Sequence, residues 1–483
     1  MAPIASPARP QTDSKVRAIA DCSSPALINS VISTEAPRIA LLTPYSGGNL
    51  GDAAIQDSMI SNLRMRLPRA RFSGISLNDK NYREQHGADA FPICAKEGSY
   101  YGMEIASVPA GFCPPAPGVL RAGVRRTLLR FPAVRRAVKA ARTRCGLLGR
   151  ELRHWRNGYR FLRDHELLVV SGGGQLDEEW GGPWGHPFAL FKWMLLARLA
   201  GVPAVFASVG ACKVRSRLSR FFLANALKRA RYRSYRDKNS RGIAVNFLSR
   251  AQQDAVVPDL AFGLPAKQRP RPAELMAMAR GRTIVAISPI SYGKPGVWPS
   301  PDRALFDRYL EQLTQTVREL VRNGYFLVFL WSARSDQKVI AELRGGLDQE
   351  TAARFEDAAF FPALAGWKDA LAVMEASDYL VASRLHSVIF GFLACIPVVA
   401  ISFDPKVDWF MEEMGQEDAL LQIRTFSASD VSGALGRLES QRDQVVGRLT
   451  AYAESSAAAL SAQFDVLSEI AIGADFAKGR SVS

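Results

Sequence analysis

The pentapeptide Ser383-Arg384-Leu385-His386-Ser387 contains residue types that could bind an anion and move a proton. It lies between an apolar run predicted to be a strand and another predicted to be a helix, so its side chains should face a cleft. The guanidinium of Arg384 can hold a carboxylate or phosphate through two parallel hydrogen bonds. His386 can transfer a proton near neutral pH. The simpler interpretation is that His386 only caps the following helix.

Two glycine-rich loops also follow predicted strands. The first, residues 46–52, precedes a helix whose unpaired amides could face a ligand, and Asp52 is expected to be its N-cap. A tight turn with a cap is the alternative. The second, Gly172-Gly173-Gly174, could form an amide-lined hollow for an anion or a sugar. The aromatic segment 180–184 could offer a sugar platform or pack in the core.

These motifs lie within an alternation of strand and helix patterns. In the first half, strands are predicted at 39–43, 167–170 and 203–208, and helices at 53–67 and 187–200. In the second half, strands are predicted at 283–288, 325–331, 378–382 and 397–403, and helices at 303–323, 369–376, 387–395 and after Asp404. Such alternation produces parallel sheets with helices on both faces.

The alternation predicts an α/β protein with two doubly wound, Rossmann-like domains and a GT-B-like cleft between them. The first domain should span 38–263, with a basic helical insertion at 120–163, and the second 283–425. A proline-containing linker at 264–282 should join them, and helices should follow at 426–472. Residues 1–37 and 473–483 are expected to be disordered tails.

The charge is concentrated in one segment. The chain of 483 residues has a formal net charge of +16, which predicts anionic partners. Residues 121–163 hold fourteen Arg or Lys and a single acid, Glu151. The two basic amphipathic helices predicted there are either solvated or in contact with an anionic membrane surface or a lipid-pyrophosphate carrier. No nucleic acid is expected, because no zinc finger, helix-turn-helix or repeated aromatic platform is present.

The remaining composition indicates a cytoplasmic protein, at most peripheral at the inner face of the membrane. The six cysteines form no C-x-x-C pair, so no metal site is predicted. The first 37 residues contain no pattern of a secretory signal. The longest uncharged apolar stretch, 387–403, contains Pro397 and favours a helix and a strand over a membrane span.

The motifs together resemble the polysaccharide pyruvyl transferase family over about residues 38–416. The family pattern begins with N-x-G-D, a strand running into G-G-G, R-D/E-x-x-S and P-D, here at 49–52, 169–174, 236–240 and 258–259. It continues with S-R-L-H-S, G-x-P-V and D-x-K, here at 383–387, 395–398 and 404–406. Cys395 stands where the family more often has glycine. The basic insertion is not part of the family core.

The resemblance implies transfer of a pyruvyl group from phosphoenolpyruvate to a sugar of an exopolysaccharide or cell-envelope glycan, or its lipid-linked precursor, forming a cyclic ketal. It implies His386 as the catalytic acid. The other expected donor-binding residues are Arg384, Leu385, Arg236, Gly172, Gly173 and Gly174. Candidates for the acceptor side or the cleft are Asn49, Asp52, Asp404 and Lys406. No cofactor or metal is expected, because arginines and helix ends can neutralise the donor.

Two other functions remain open. A GT-B glycosyltransferase using a nucleotide-sugar would share the architecture, with Glu375 or Asp378 as the candidate acid for ribose or sugar hydroxyls. A non-catalytic, membrane-associated scaffold could be built on the basic helices, but it gives no reason for Arg384 and His386 to share one loop.

Overall fold

The computed structural model describes residues 36–44, 47–95, 149–179, 181–265, 269–298 and 300–477. Of the predicted tails, residues 1–35 and 478–483 lie outside this range. Residues 120–148 of the basic insertion, Ser46 and Trp180 also lie outside it. The rest of the insertion, 149–163, is helical.

The first half of the chain forms a parallel sheet. Its strands are β1 (Arg38–Leu42), β2 (Arg71–Ser76), β3 (Asp89–Pro92), β4 (Leu167–Ser171), β5 (Gly174–Leu176), β6 (Ala204–Ala211), β7 (Tyr232–Tyr235) and β8 (Ala255–Val256). Their spatial order is β3-β2-β1-β4-β6-β7-β8, with β5 beside β6. The helices are α1 (Leu50–Arg66), α2 (Asp79–His86), α3 (149–163), α4 (His186–Leu199), α5 (Arg217–Lys228) and α6 (Lys238–Val245).

The second half forms another parallel sheet. Its strands are β9 (Ile284–Ser288), β10 (Phe326–Phe329), β11 (Ala359–Phe360), β12 (Tyr379–Ala382), β13 (Val398–Ser402) and β14 (Leu420–Gln422). They lie in the order β11-β10-β9-β12-β13-β14. The helices are α7 (Ala273–Ala279), α8 (Arg303–Arg322), α9 (Asp336–Gly345), α10 (Gln349–Ala358), α11 (Trp367–Glu375), α12 (Leu385–Leu393), α13 (Pro405–Glu413), α14 (Ala428–Ser440) and α15 (Arg442–Ala477).

The predicted strands and helices are confirmed, because the apolar patterns match the burial. β4, β9 and β13 are buried along their whole length, as central strands of a parallel sheet must be. α8 buries its apolar face and exposes its polar face, which gives the periodicity seen in the sequence. The predicted linker contains helix α7, whose Leu275 is fully buried. α15 continues past residue 472 and ends at Ala477.

The C-terminal helix α15 packs back on the first half. Gln463 donates a hydrogen bond to Ser208 Oγ at 3.0 Å and accepts one from the Tyr232 hydroxyl at 3.2 Å. Asp465 pairs with Arg66 of α1 at 2.6 Å. The two halves are therefore joined by the C-terminal helix as well as by the chain between the sheets.

Candidate active site between the two sheets

The candidate site lies where the strand order reverses in both sheets. In the first sheet β1 and β4 are neighbours, and in the second β9 and β12 are neighbours. Ligands in open parallel sheets bind beyond the carboxyl ends of the strands at this point. At the first of these points, β1 is followed by the loop before α1, and β4 is followed by the glycines 172–174. At the second, β12 is followed by the segment 383–387.

Arg384 is held by a buried carboxylate. Its Nε and Nη2 donate hydrogen bonds to the two carboxylate oxygens of Asp336, at 2.6 and 2.9 Å. Asp336 is fully buried and also accepts hydrogen bonds from the backbone amides of Ser291 and Ala333, at 3.1 and 2.9 Å. The guanidinium is therefore fixed in orientation, and its remaining N–H groups are available for an anion.

His386 does not cap its helix. The N-cap position of α12 is occupied by Arg384, and no side chain caps it. The imidazole instead packs against the first half, where a Cβ built on Gly51 would lie 2.1 Å from its Cγ. Nε2 of His386 is inaccessible to solvent and makes no hydrogen bond to the described residues. The ring thus lies between the N-termini of α1 and α12.

Asp52 lies in the first turn of α1, and the N-cap is Asn49, so the prediction that Asp52 caps the helix was wrong. Asn49 accepts hydrogen bonds from the amides of Gly51 and Asp52, at 3.0 and 3.4 Å. Burial raises the pKa of the Asp52 carboxyl, although the charges of His386, Arg384 and others nearby act in the opposite direction. Asp52 is therefore a carboxyl group with a raised pKa among the cationic residues of the cleft.

The three glycines turn the chain sharply after β4. Gly172 and Gly173 have φ values of 50° and 67°, a left-handed conformation that favours glycine. A Cβ on Gly172 would lie 2.7 Å from Leu260, so no larger residue fits there. The amide of Gly172 is bonded to the Ala207 carbonyl at 2.9 Å, so it is not free to bind an anion.

Lys406, from the second half, reaches the glycine loop of the first. A Cβ on Gly174 would lie 3.5 Å from its ammonium, which is 3.8 Å from Asp177 and 3.9 Å from Asp404. Burial disfavours the lysine charge, but Cys212, Asp404 and Asp177 more than offset this effect and raise its pKa above the ordinary value. Lys406 therefore remains a cation inside the cleft.

Arg236 lies in the same cleft. Its guanidinium is 3.4 Å from Asp237 and 3.5 Å from Asp259. A pocket is lined by Arg236 and Asp259 from the first half and by Leu385 and Lys406 from the second. The structure therefore brings together predicted residues from distant parts of the chain, such as Arg236 and Lys406, which are 170 positions apart.

Asn49 and Asp404 serve as helix caps. Asn49 caps α1, and Asp404 caps α13 by accepting a hydrogen bond from the Lys406 amide at 3.0 Å. The sequence analysis did not single out Asp336 or Asp177 as site residues. Both follow strands of the sheets, β10 and β5, so the rule that located the 383–387 segment could have found them. Among the described residues, no group of three or more His, Cys, Asp or Glu is placed to hold a metal ion.

The fold is the two-domain α/β architecture of GT-B transferases. A UDP-glucose:anthocyanidin 3-O-glucosyltransferase in complex with UDP is 12% identical, with a TM-score of 0.51, covering 91% of this chain and 100% of that one. A glycosyltransferase from Rickettsia africae is 8% identical, with a TM-score of 0.50, covering 90% and 98%.

The family model for polysaccharide pyruvyl transferases matches residues 49–405. The chain therefore belongs to the polysaccharide pyruvyl transferase family. A comparison with curated protein sequences gave no match. No helix in the described ranges combines the length and the apolar character needed to cross a membrane.

Proposed function

We propose that the protein transfers a pyruvyl group from phosphoenolpyruvate to two hydroxyls of a sugar, in the cytoplasm, during synthesis of an exopolysaccharide or cell-envelope glycan. The acceptor is the glycan or its lipid-linked precursor. The observation that carries the proposal is that Arg384 and His386 of the second sheet face Asp52 and Gly51 of the first. An anion clamp and an imidazole thus share a cleft with a carboxylate.

The donor carries a carboxylate and a phosphate on the same carbon, so it needs several cationic contacts. Arg384, held by Asp336, supplies one fixed guanidinium. Arg236 and Lys406 supply two more charges in the adjoining pocket. These cations neutralise the donor and stabilise the negative charge on the departing phosphate.

The reaction starts with proton transfer from the His386 imidazolium to the methylene carbon of the donor. The neighbouring carbon becomes cationic, and the first sugar hydroxyl attacks it and gives up its proton to Asp52. Phosphate then leaves with the electron pair of the C–O bond, and the second hydroxyl attacks the same carbon. Its proton passes to the released phosphate as the ring closes. One proton has entered the methyl group and one has joined the phosphate, which balances the two lost by the hydroxyls. The proton accepted by Asp52 restores the imidazolium of His386.

Access to His386 requires the cleft to open. Its Nε2 is shielded from solvent, and Gly51 packs against the ring. Separation of the N-termini of α1 and α12 would admit the donor, and reclosure would keep water from the cationic carbon.

The two candidate acids of the glycosyltransferase alternative lie away from the cleft. Asp378 accepts a hydrogen bond from the Ile284 amide at 2.8 Å, at the start of β9. Glu375 pairs with Arg269 at 2.6 Å, at the end of α11. Both acids therefore lie at the edge of the second sheet opposite the cleft.

The test is to incubate the purified protein with phosphoenolpyruvate and an acceptor oligosaccharide. We expect release of phosphate and a sugar product whose mass includes a pyruvate ketal. His386→Ala should lower turnover by about 10²–10⁴-fold with unchanged thermal unfolding. Turnover of a UDP-sugar in place of phosphoenolpyruvate would overturn the proposal, and full activity of the variant would remove the acid assignment.

A further inference from the structure

Three helices cover one side of the first sheet. α4 lies between α3 and α5: Lys192 of α4 pairs with Glu151 of α3 at 3.0 Å, and Phe191 of α4 contacts Phe222 of α5 with ring centres 5.3 Å apart. The three helices therefore form one continuous outer layer.

This layer carries an exposed aromatic patch, which we define as Trp184, Leu218 and Phe221. Trp184 is 53% exposed, Leu218 37% and Phe221 55%. The rings of Trp184 and Phe221 lie 5.5 and 5.8 Å from the buried ring of Phe222, so both pack around this ring. Large apolar side chains grouped at a surface mark a site of interaction.

The same layer is strongly basic. Within α3, α4 and α5 the sequence has ten Arg or Lys and one acid, Glu151, which faces inward to Lys192. The exposed basic residues are Arg150, Arg153, Arg156, Arg160, Arg163, Arg198, Arg217, Arg220 and Lys228. On α5, Arg217 directly precedes Leu218, and Arg220 directly precedes Phe221. The patch is therefore flanked by positive charge.

The patch lies at the end of the layer nearest the cleft. His186, two residues after Trp184, is 2.8 Å from Gln175, which directly follows the glycine loop. Near the start of α5, the Arg215 amide donates a hydrogen bond to Glu178 at 2.6 Å. Both connections lead to the carboxyl edge of the first sheet.

We propose that this face docks on an anionic lipid bilayer, with the aromatic patch inserted at the headgroup level and the arginines against the lipid phosphates. Aromatic side chains flanked by Arg and Lys are the composition that binds such an interface. A bilayer at this face would lie beside the opening of the cleft. This proposal concerns only the binding of the protein to a membrane, so it does not depend on whether phosphoenolpyruvate is the donor.

The test is sedimentation of the full chain with phosphatidylcholine vesicles that contain or lack phosphatidylglycerol. We expect binding only to the anionic vesicles, weakening as salt is added. The double variant Trp184→Ala/Phe221→Ala should weaken binding at least about tenfold. Arg217→Gln and Arg220→Gln should each weaken it about fivefold. Phosphate release with a soluble acceptor should be unchanged in Arg217→Gln and in Arg220→Gln.

Matched controls lie on the second half of the chain. Phe361 is 39% exposed, and Arg303 and Arg354 are exposed. Phe361→Ala, Arg303→Gln and Arg354→Gln should leave vesicle binding unchanged. Equal binding by the aromatic-patch and control variants would overturn the proposal. So would failure of the wild type to bind, or a dimer that Phe221→Ala dissociates, since the patch would then be an interface between copies.

Discussion

Gly51 and His386 are in direct contact across the two halves of the protein. A Cβ built on Gly51 would lie 2.1 Å from Cγ and 2.2 Å from Nδ1 of the imidazole. Real Cβ atoms do not approach other atoms this closely, so only glycine allows the N-termini of α1 and α12 to meet in this way. The position of the proposed acid therefore depends on a residue without a side chain.

Gly51→Ala should lower kcat by about 100-fold, because the added methyl must displace the ring or hold the cleft open. Gly51 lies in the first turn of a helix without a positive φ, so alanine suits the backbone. Gly242→Ala in α6 is the control, since a Cβ there meets nothing within 4 Å. Steady-state kinetics and thermal unfolding measure both variants. An unchanged kcat in Gly51→Ala would show that the imidazole is not required at this place.

Asp336→Asn should raise the KM for phosphoenolpyruvate about tenfold or more, with a smaller effect on kcat. The change removes the charge that holds Arg384 in place, so the donor loses a preformed clamp. Asp348→Asn, an exposed N-cap of α10, is the control and should leave KM unaltered. If Asp336→Asn lowers the melting temperature and KM stays the same, Asp336 supports only the fold.

The acid side of the pH–rate profile should report on Asp52. Burial raises its pKa above the ordinary 3.8. As a base Asp52 must be ionised, so the rate should fall as pH falls through this raised pKa. Asp52→Asn should remove this limb and lower turnover by about 10²–10⁴-fold.

Asp52→Asn also has a consequence for stability. A raised pKa means that the folded state disfavours the charged carboxylate at neutral pH, so the variant should have a larger free energy of unfolding there. Urea unfolding measures the change. For the kinetic prediction, a pH–rate profile of Asp52→Asn that still falls on the acid side as in the wild type would assign this fall in rate to another group.

The sequence predicted the features that depend on local pattern. Apolar periodicity located the strands, and the rule about their carboxyl ends placed Arg384 and His386 at the cleft. Contacts between distant segments could not be predicted in this way. The pairing of Arg384 with Asp336 and the packing of His386 on Gly51 join residues 48 and 335 positions apart, and only the arrangement of the sheets brings them together.

Two residues could have capped the N-terminus of α1, which explains why the prediction for Asp52 was wrong. Asn49 and Asp52 are both good N-caps, and the helix begins at the earlier of the two. Asp52 is thereby placed in the first turn of the helix, where its carboxyl faces the cleft instead of capping the helix amides.

Asp57 of α1 joins the two halves away from the active site. Its carboxylate accepts a hydrogen bond from the Trp367 indole at 2.7 Å and contacts His86 Nδ1 at 2.8 Å. Burial acts to raise the pKa of Asp57, but the hydrogen bonds from His86 and Trp367 prevail and lower it below 3.8. A lowered pKa stabilises the fold above the unfolded-state pKa, and this stabilisation is lost as pH falls through the folded-state pKa.

Asp57→Asn should therefore lower the free energy of unfolding at neutral pH by about 1–3 kcal/mol. The difference from the wild type should shrink as pH falls below 3.8, because the wild-type carboxyl then also loses its charge. Asp307→Asn, at an exposed pair with Arg303, should change stability little at any pH. Urea unfolding over a series of pH values tests both. If Asp57→Asn is destabilised equally at every pH, the ionised carboxylate is not what stabilises this contact.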